Sequence, residues 1–332
     1  MKRILRAVSL LLALLTVFAV SSCGKTSATK ADRKVALTVA GHDVSAATVE
    51  YYETQFKRGV LPEGGEEALS DSEREALDGA VKNATEESLR KIFAVYELAG
   101  ERGITPDTVA DELDGVTENF IASQYGGDEE AFYSALDAEG MSYKTFLFFK
   151  EHELIRNALY SSMISDGTLP YGEEALKDRF LSGELVRVKH VMVSYEAENG
   201  AFLRFTDPEA AMTDPALEKA EKVLLRAREG EDFDSLVEKY GDEVLLRGND
   251  DGFYFTRGNK ELSYEEAAFA LDVGQVGDIV VTSTGFCIIK RLELDENYVD
   301  KNLSSLMDSF TEGQFNLFAE ERAESLEVVW KH

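Results

Sequence analysis

Apolar residues recur at helical spacing through most of the first half of the chain. The longest stripe runs through residues 77–99, and Ser70 and Glu73 form a capping box just before it. Residues 34–44 instead alternate apolar and polar positions, which predicts a short strand or hairpin. Residues 34–180 are therefore predicted to form a mostly helical domain that is opened by one extended segment.

The pattern changes to short β-rich runs after this helical block. Residues 186–193 are rich in valine and contain no glycine or proline, and His190 and Met192 share one face of this predicted strand. Three amphipathic helical pieces follow, and after them come two further apolar runs between residues 279 and 294. This order of one strand, three helical pieces and two further strands predicts a small α/β domain over residues 184–294.

The last segment, residues 295–332, carries one more amphipathic stripe, which is interrupted at Gly313 and Gln314. It ends in an alternating run that is typical of a strand. We expect this helix and strand to pack back on the helical domain. Inside the small domain, Asn199-Gly200 lies in a polar insertion and predicts a tight hairpin. The predicted fold class is α+β.

The N-terminus predicts where the protein works. Residues 1–22 combine a positively charged start, a short apolar run and small residues, which is the layout of a secretory signal peptide. The apolar run is too short for a transmembrane anchor and lacks a stop-transfer pattern. Cys23 follows the small residues, as in a bacterial lipobox, in which this cysteine is lipidated and becomes the first mature residue. Residues 23–33 are small and polar and predict a flexible tether. We therefore expect an extracytoplasmic protein that is lipid-anchored to the bacterial cell membrane.

Composition excludes several classes of function. The chain has 35 Lys and Arg against 63 Asp and Glu, for a net charge of −28. Such an acidic protein is a poor partner for nucleic acid, because phosphate contacts need clustered cations. Two cysteines and four histidines argue against a disulfide framework and a zinc site. We expect no metal and no cofactor.

The small domain resembles the parvulin family of peptidyl-prolyl isomerases. The matching pieces occur in family order and are VKHVMV at 188–193, FDSLVEKYGDE at 233–243, FYFTRG at 253–258, YEEAAFALDVGQVGDIVVTSTGF at 264–286 and IIKRLEL at 288–294. A helical domain before it and a returning helix after it look like the PrsA/SurA-type extracytoplasmic foldases. The resemblance implies a helical chaperone-like domain joined to a prolyl isomerase domain that has a four-stranded sheet and needs no cofactor.

The resemblance also implies the catalytic residues. His190 matches the first-strand histidine of the family's paired-histidine motif, whereas the second histidine is replaced by Cys287. Glu243 falls where the family has its catalytic cysteine or aspartate, and Asp242 lies beside it. From the residues alone, His190 is equally well explained as a hydrogen-bonded core histidine, and Cys287 as a small core hydrophobe.

The substrate-binding residues follow from the same comparison. Lys260 and Tyr264 fall at the methionine and phenylalanine of the proline pocket, and the remaining candidates are aromatic or hydroxyl-bearing neighbours. The full set is Lys260, Tyr264, Phe269, Phe253, Phe255 and Thr284. Because the second histidine and the pocket methionine are missing, we expect isomerase turnover to be weak or absent while binding of client polypeptides is retained.

The sequence as a whole predicts a membrane-anchored foldase or chaperone. Its expected partners are unfolded or newly secreted polypeptides, together with the membrane through Cys23, and a homodimer is also compatible with the sequence. A solute-binding lipoprotein of a transporter is an alternative, although that class requires repeated βα units in two lobes. A non-catalytic holdase and a purely structural surface lipoprotein are also compatible with the sequence pattern.

Overall fold

The computed structural model describes residues 29–196, 200–207, 209–243, 248–249 and 251–331. The chain divides into two compact units, each built from separate segments. Of the described residues, the helical unit comprises those up to Gly59, Val81–Ser162 and those from Ala319 onward, and the sheet unit comprises Val60–Ala80 and those within Met163–Phe318. The predicted signal peptide and the predicted lipidation site, Cys23, lie outside the described residues.

The predicted α+β class is confirmed. The helices are α1 (Lys30–Arg33), α2 (Ala46–Val60), α3 (Asp71–Gly100), α4 (Pro106–Tyr125), α5 (Glu129–Ala138), α6 (Tyr143–Ser165), α7 (Glu173–Arg179), α8 (Gly200–Thr206), α9 (Ala216–Arg228), α10 (Phe233–Tyr240), α11 (Leu262–Ala270) and α12 (Glu296–Glu324). The strands are β1 (Val35–Val39), β2 (His42–Ser45), β3 (Val186–Ser194), β4 (Phe253–Phe255), β5 (Val276–Val281), β6 (Gly285–Leu292) and β7 (Val328–Trp330). No helix of the described residues is both long and apolar enough to cross a membrane.

The helical unit contains a three-stranded antiparallel sheet in the order β2-β1-β7. The hairpin predicted at residues 34–44 is present, and its turn places Ala40 and Gly41 at φ 49° and 86°. The strand predicted near the C-terminus is also present, and it pairs with β1 so that Leu37 lies opposite Trp330. The core of this unit is largely aromatic and includes Tyr51, Phe132, Leu136, Met141 and Phe146.

The tether predicted at residues 23–33 differs from the structure in its described part. Residues 30–33 form the short helix α1, which Thr29 caps through its side chain. Asp32 is only 3% exposed, and it accepts a hydrogen bond of 2.5 Å from the Ser142 hydroxyl. Burial acts to raise the pKa of Asp32, but the hydrogen bonds from Ser142 and Thr29 outweigh it and hold the pKa below its usual value. A folded element therefore already exists at residue 29.

The sheet unit is built on a four-stranded sheet in the order β4-β3-β6-β5, with every pair antiparallel. In this register His190 lies opposite Ile289, and Met192 lies opposite Cys287. Helices α9 and α10 cover the face that carries Val191 and Val193. Helix α11 covers the other face, with Val186, Val188 and Cys287 beneath it. The alternation along β3 that the sequence predicts thus places His190 and Met192 toward α11.

Helix α12 runs without a break through Gly313, where the sequence pattern is interrupted. A Cβ atom on Gly313 would lie 2.3 Å from the Arg257 carbonyl oxygen, and one on Gly258 would lie 2.2 Å from the Gly313 carbonyl oxygen. The two backbones therefore touch, and this contact requires glycine on both sides. Hydrogen bonds from Asn316 to the Gly258 carbonyl and from Ser309 to Asn259 flank the contact.

Two further expectations differ from the structure. Gly200 begins helix α8 rather than a hairpin turn, while Asn199 lies outside the described residues. The predicted domains at 34–180 and 295–332 also differ from the observed division. Residues 60–80, 163–180 and 295–318 belong to the sheet unit rather than to the helical unit. Apolar residues of α7, of the segment 180–185 and of α12 form one cluster inside the sheet unit, which explains the last two of these differences. Its members are Leu176, Phe180, Leu185, Val299, Leu306, Met307 and Phe310.

We predict that the fragment 184–294 folds on its own. The two apolar clusters on either side of the four-stranded sheet consist entirely of residues within this range. The cluster between α7 and α12 is lost in the fragment, so a longer fragment, 163–318, should unfold at a higher denaturant concentration. Denaturant unfolding and NMR dispersion of both fragments measure this. A fragment 184–294 without cooperative unfolding would contradict the prediction.

Candidate functional site

A cavity of about 170 Å³ opens on the α11 side of the four-stranded sheet. Side chains from β3, β4, β6, α11 and three loops meet there. Its lining is His190, Met192, Glu243, Phe253, Lys260, Glu261, Tyr264, Thr282, Thr284 and Cys287. Seven of the ten sequence-predicted site residues are in this set, although they come from distant parts of the chain.

His190 forms the floor of the cavity. It is 6% exposed, and both of its ring nitrogens have partners. Nδ1 lies 2.7 Å from the Tyr264 hydroxyl, and Nε2 lies 2.8 Å from a carboxylate oxygen of Glu243. The Phe253 ring stacks on the imidazole at a centroid distance of 5.5 Å. His190 is thus both a hydrogen-bonded buried histidine and a cavity residue, so the two interpretations of the sequence are compatible.

Glu243 reaches His190 from the loop that follows α10. Its hydrogen bond with His190 lowers the pKa of its carboxyl, against the opposing effect of burial. Asp242, the neighbouring predicted catalytic residue, is turned away from the cavity. Its backbone N–H donates to the Met192 carbonyl at 2.8 Å, and its carboxylate accepts from the Ser194 N–H at 2.9 Å. Asp242 therefore fastens this loop to β3 and places Glu243.

The loop between β4 and α11 supplies Lys260 and Glu261. Glu265, on the first turn of α11, is 3% exposed and accepts hydrogen bonds from three consecutive backbone N–H groups. The N–H groups of Gly258, Asn259 and Lys260 lie 2.9, 2.7 and 2.6 Å from its carboxylate oxygens. A single buried side chain thus fixes the loop that forms one wall of the cavity.

Aromatic rings form the apolar surface of the cavity. The Tyr264 ring stands edge-on to the His190 ring at a centroid distance of 5.4 Å, and the Phe253 ring stacks on the face of the imidazole. The exposed Lys260 side chain directs its ammonium group over the Phe253 ring, 5.2 Å from the centroid. Lys260 therefore keeps its charge at the rim of the cavity while its carbon chain lines the wall.

Cys287 lies at the back of the cavity and is 3% exposed. Burial raises the pKa of its thiol to about 12. The thiol is therefore neutral near pH 7 and is a poor nucleophile. Thr282 and Thr284 belong to the turn before β6, where the Thr282 hydroxyl donates to the Gly285 carbonyl at 2.8 Å. The predicted role of Cys287 as a catalytic group is thus not supported by its surroundings, whereas its interpretation as a core residue is.

Three predicted site residues lie outside the cavity lining, and three lining residues were missed. Phe255 and Phe269 pack against each other at 5.9 Å within the core beneath α11, and Asp242 lies on the neighbouring loop. The missed residues are Met192, Glu261 and Thr282. Met192 could have been found, because it lies two residues after His190 on the same face of the strand.

Other features of the described residues are weaker candidates for a functional site. A larger concavity of about 320 Å³ lies beside α9, but its cations pair with nearby acids, as Lys222 does with Glu218 at 2.7 Å. Within the described part of the chain, no group of three or more His, Cys, Asp or Glu side chains could hold a metal ion. The cavity at His190 therefore offers the more distinctive chemistry.

The arrangement suits a reaction that proceeds without a covalent step. Rotation of an X-Pro bond must overcome a barrier of about 18–20 kcal/mol that amide resonance imposes. A site that holds the proline ring on an apolar surface and favours the twisted amide lowers this barrier. A reduction of about 4 kcal/mol would accelerate rotation on the order of a thousandfold. Aromatic walls beside a fixed imidazole and carboxylate supply both kinds of contact.

Known proteins with similar sequences identify the family of this domain. The model of the PPIC-type PPIASE domain, a peptidyl-prolyl isomerase domain, matches residues 176–294. Peptidyl-prolyl cis-trans isomerase Pin1 of Malus domestica is 31% identical over 120 residues, which are 33% of this chain and 95% of that protein. The chain therefore belongs to the parvulin family of peptidyl-prolyl isomerases, as the sequence predicts.

Foldases are also among the relatives. Foldase protein PrsA of Bacillus subtilis is 35% identical over 82 residues, which are 24% of this chain and 28% of that protein. The matched region thus spans less than a third of that relative. A crystal structure of peptidylprolyl isomerase PrsA from Bacillus anthracis aligns with a TM-score of 0.36 and 20% identity, and the alignment covers 72% of this chain and 94% of that one.

Proposed function

We propose that this protein is an extracytoplasmic foldase that is anchored to a bacterial membrane and binds secreted polypeptides at their X-Pro bonds. The observation that carries the proposal is the cavity in which His190 is held at both ring nitrogens beside the aromatic walls. The foldase named among its relatives supports the same class of function. The N-terminal lipobox pattern supports the location outside the cytoplasm.

The proposed isomerase activity is weaker than that of a site with the full family pattern. Lys260 brings an ammonium group to the position of an apolar thioether, and a charged group contributes little to the grip on a proline ring. Cys287 offers only a neutral thiol, which is a weak hydrogen-bond donor and acceptor. Binding depends less on these two positions, because Phe253 and Tyr264 keep the apolar surface.

The charges of the cavity suggest which X-Pro segments are preferred. Two carboxylates, Glu243 and Glu261, line the opening with the ammonium group of Lys260, and Glu261 also pairs with the guanidinium of Arg204 at 3.4 Å. Glu243 is therefore the acidic group that favours a basic residue next to the proline, whereas an acidic residue is repelled by it. The net charge of −28 also favours approach of cationic segments. We therefore propose proline-containing segments with neighbouring Lys or Arg as the favoured clients.

The proposal is tested by measuring proline isomerisation and chaperone activity of the same preparation. We expect slow turnover of a tetrapeptide series, fastest with Arg or Lys before proline and slowest with Glu. Refolding of a proline-limited protein should accelerate, and aggregation of an unfolded secreted protein should be suppressed. His190→Ala should abolish turnover, because it removes the group that both Tyr264 and Glu243 hold, and should leave suppression of aggregation intact.

The control is His42→Ala, which changes a histidine of the helical unit that bonds to Glu97. This variant should retain turnover. Absence of turnover in the wild type together with suppressed aggregation would favour a non-catalytic holdase. Absence of both activities would overturn the foldase proposal. A solute-binding protein is disfavoured, because that class needs parallel βα units and every strand pair of the described residues is antiparallel.

The lipid anchor gives a separate prediction. Cys23→Ala should leave the precursor unprocessed or released, so that the protein no longer partitions into the detergent phase after extraction. Cys287→Ala is the matched control, because it removes the only other cysteine of the chain and should leave partitioning unchanged. Detergent partitioning of both variants, together with the mass of the mature N-terminus, measures this. Unchanged partitioning of Cys23→Ala would contradict the anchor.

A further inference from the structure

The hydroxyl group of Tyr264 has one hydrogen-bond partner among the described residues, and that partner is His190. The two groups are 2.7 Å apart and are buried beneath the cavity. Burial raises the pKa of Tyr264 well above its usual value, so the hydroxyl keeps its proton and can donate it. On the opposite side of the ring, Glu243 can only accept a hydrogen bond while it is ionised. Tyr264, His190 and Glu243 thus form a continuous hydrogen-bonded chain.

This chain selects one tautomer of the neutral imidazole. The Glu243 carboxylate requires a proton on Nε2, and the Tyr264 hydroxyl then donates to the unprotonated Nδ1. With both nitrogens engaged, the ring can neither flip nor exchange its proton between the two sites without breaking a hydrogen bond. The orientation of the imidazole under the cavity is therefore fixed from both sides.

Among the described residues around the cavity, no other side chain holds Nδ1. Cys287 is the residue where the family pattern has its second histidine, but its thiol is hydrogen-bonded to Thr282. Phe253 contacts the face of the imidazole and has no polar atom. Tyr264 itself is rigidly placed, because its ring packs on Phe255 at 5.7 Å and α11 is tied to β5 through Ser263.

We infer that Tyr264 is the positioning residue of this site, and that its hydroxyl orients His190 in place of the missing second histidine. The inference rests on the proposed function, since it concerns the isomerase cavity. It assigns two parts to one side chain. The ring of Tyr264 serves as an apolar wall of the cavity, and its hydroxyl keeps the imidazole in the orientation that the twisted amide meets.

The first test is Tyr264→Phe in the full chain, which keeps the ring and deletes the hydroxyl. We expect kcat/KM for an Arg-Pro tetrapeptide to fall about tenfold to a hundredfold, as small misplacements of a positioned group do. In the ¹⁵N spectrum of the histidine-labelled protein, Glu243 should keep the proton of His190 on Nε2, whereas the Nδ1 resonance should shift because Nδ1 loses its hydrogen bond. Tyr254→Phe is the control, because its hydroxyl bonds to the Asp295 N–H away from the cavity; this variant should change neither readout.

The second test is rescue by Tyr264→Phe with Cys287→His. Residue 287 lies opposite Met192 in the sheet and is therefore diagonal to His190, within reach of a second imidazole. The double variant should return the Nδ1 resonance of His190 toward its wild-type position and recover most of the lost kcat/KM, whereas additive losses would be expected if the two positions were independent.

Each outcome decides the inference. A Tyr264→Phe variant with the same turnover and the same His190 Nδ1 resonance as Tyr254→Phe would overturn it, as would a double variant that melts like the wild type and recovers neither readout. If the wild type itself shows no turnover, the proposed isomerase function fails. The ¹⁵N spectrum then still decides whether Tyr264 positions His190.

Discussion

Replacing Gly258 by alanine should lower the free energy of unfolding of the sheet unit by about 3 kcal/mol or more. The new Cβ atom would lie 2.2 Å from the Gly313 carbonyl oxygen and 2.7 Å from its carbonyl carbon, and both belong to the backbone of α12. Gly258 also has a φ of +84°, where a side chain adds strain. Because a helix backbone cannot move aside as a side chain can, the loop itself must shift.

Gly274→Ala is the matched control for this change. Gly274 has nearly the same φ, +85°, but a Cβ atom there would meet no atom within 4 Å. It should therefore cost only the left-handed conformation, about 1–2 kcal/mol. Chemical denaturation of both variants measures the difference, and turnover should fall further in Gly258→Ala because Lys260 follows directly in the displaced loop. Equal losses in the two variants would show that the approach of the two backbones is unimportant.

The elements that the sequence predicts well are those set by local periodicity. Apolar spacing and the Ser70–Glu73 capping box locate α3, and alternation locates β3 with His190 facing inward. Gly313 shows where such reasoning stops. From its own segment alone, Gly313 predicts a weak point in a helix. Glycine is required there because the backbone around Gly258, which lies far away in sequence, packs directly against it. A contact between two backbones leaves no periodic pattern.

The candidate site is predictable only in part for the same reason. Family resemblance brings His190 and Glu243 together, and the structure agrees. It also suggests Phe269, which lies five positions after Tyr264 on α11 and is therefore on another side of the helix. The hydrogen bond between Tyr264 and His190 could not be predicted, because the residue type at 264 suggests an aromatic wall. Only tertiary packing shows where its hydroxyl points.

Replacing Glu265 by alanine should have the second large effect, a loss of about 3–5 kcal/mol in the free energy of unfolding. Its carboxylate is buried and accepts from the backbone N–H groups of Gly258, Asn259 and Lys260. Removal of the side chain leaves these three donors without their partner. Each unsatisfied buried donor costs roughly 1–3 kcal/mol, and water that enters the space recovers part of that cost.

Glu266→Ala is the control, because this neighbouring glutamate on α11 is exposed and should contribute little. The loss of stability in Glu265→Gln should lie between those of Glu265→Ala and Glu266→Ala. The amide oxygen can still accept hydrogen bonds, whereas the NH2 group is a donor and cannot accept from a neighbouring backbone N–H. Glu265 and Gly258 hold the same loop, so the double variant Glu265→Ala with Gly258→Ala should lose less stability than the sum of the single changes. Denaturant unfolding of the wild type and these variants measures this. Additive losses would mean that Glu265 and the contact with α12 stabilise separate parts of the unit.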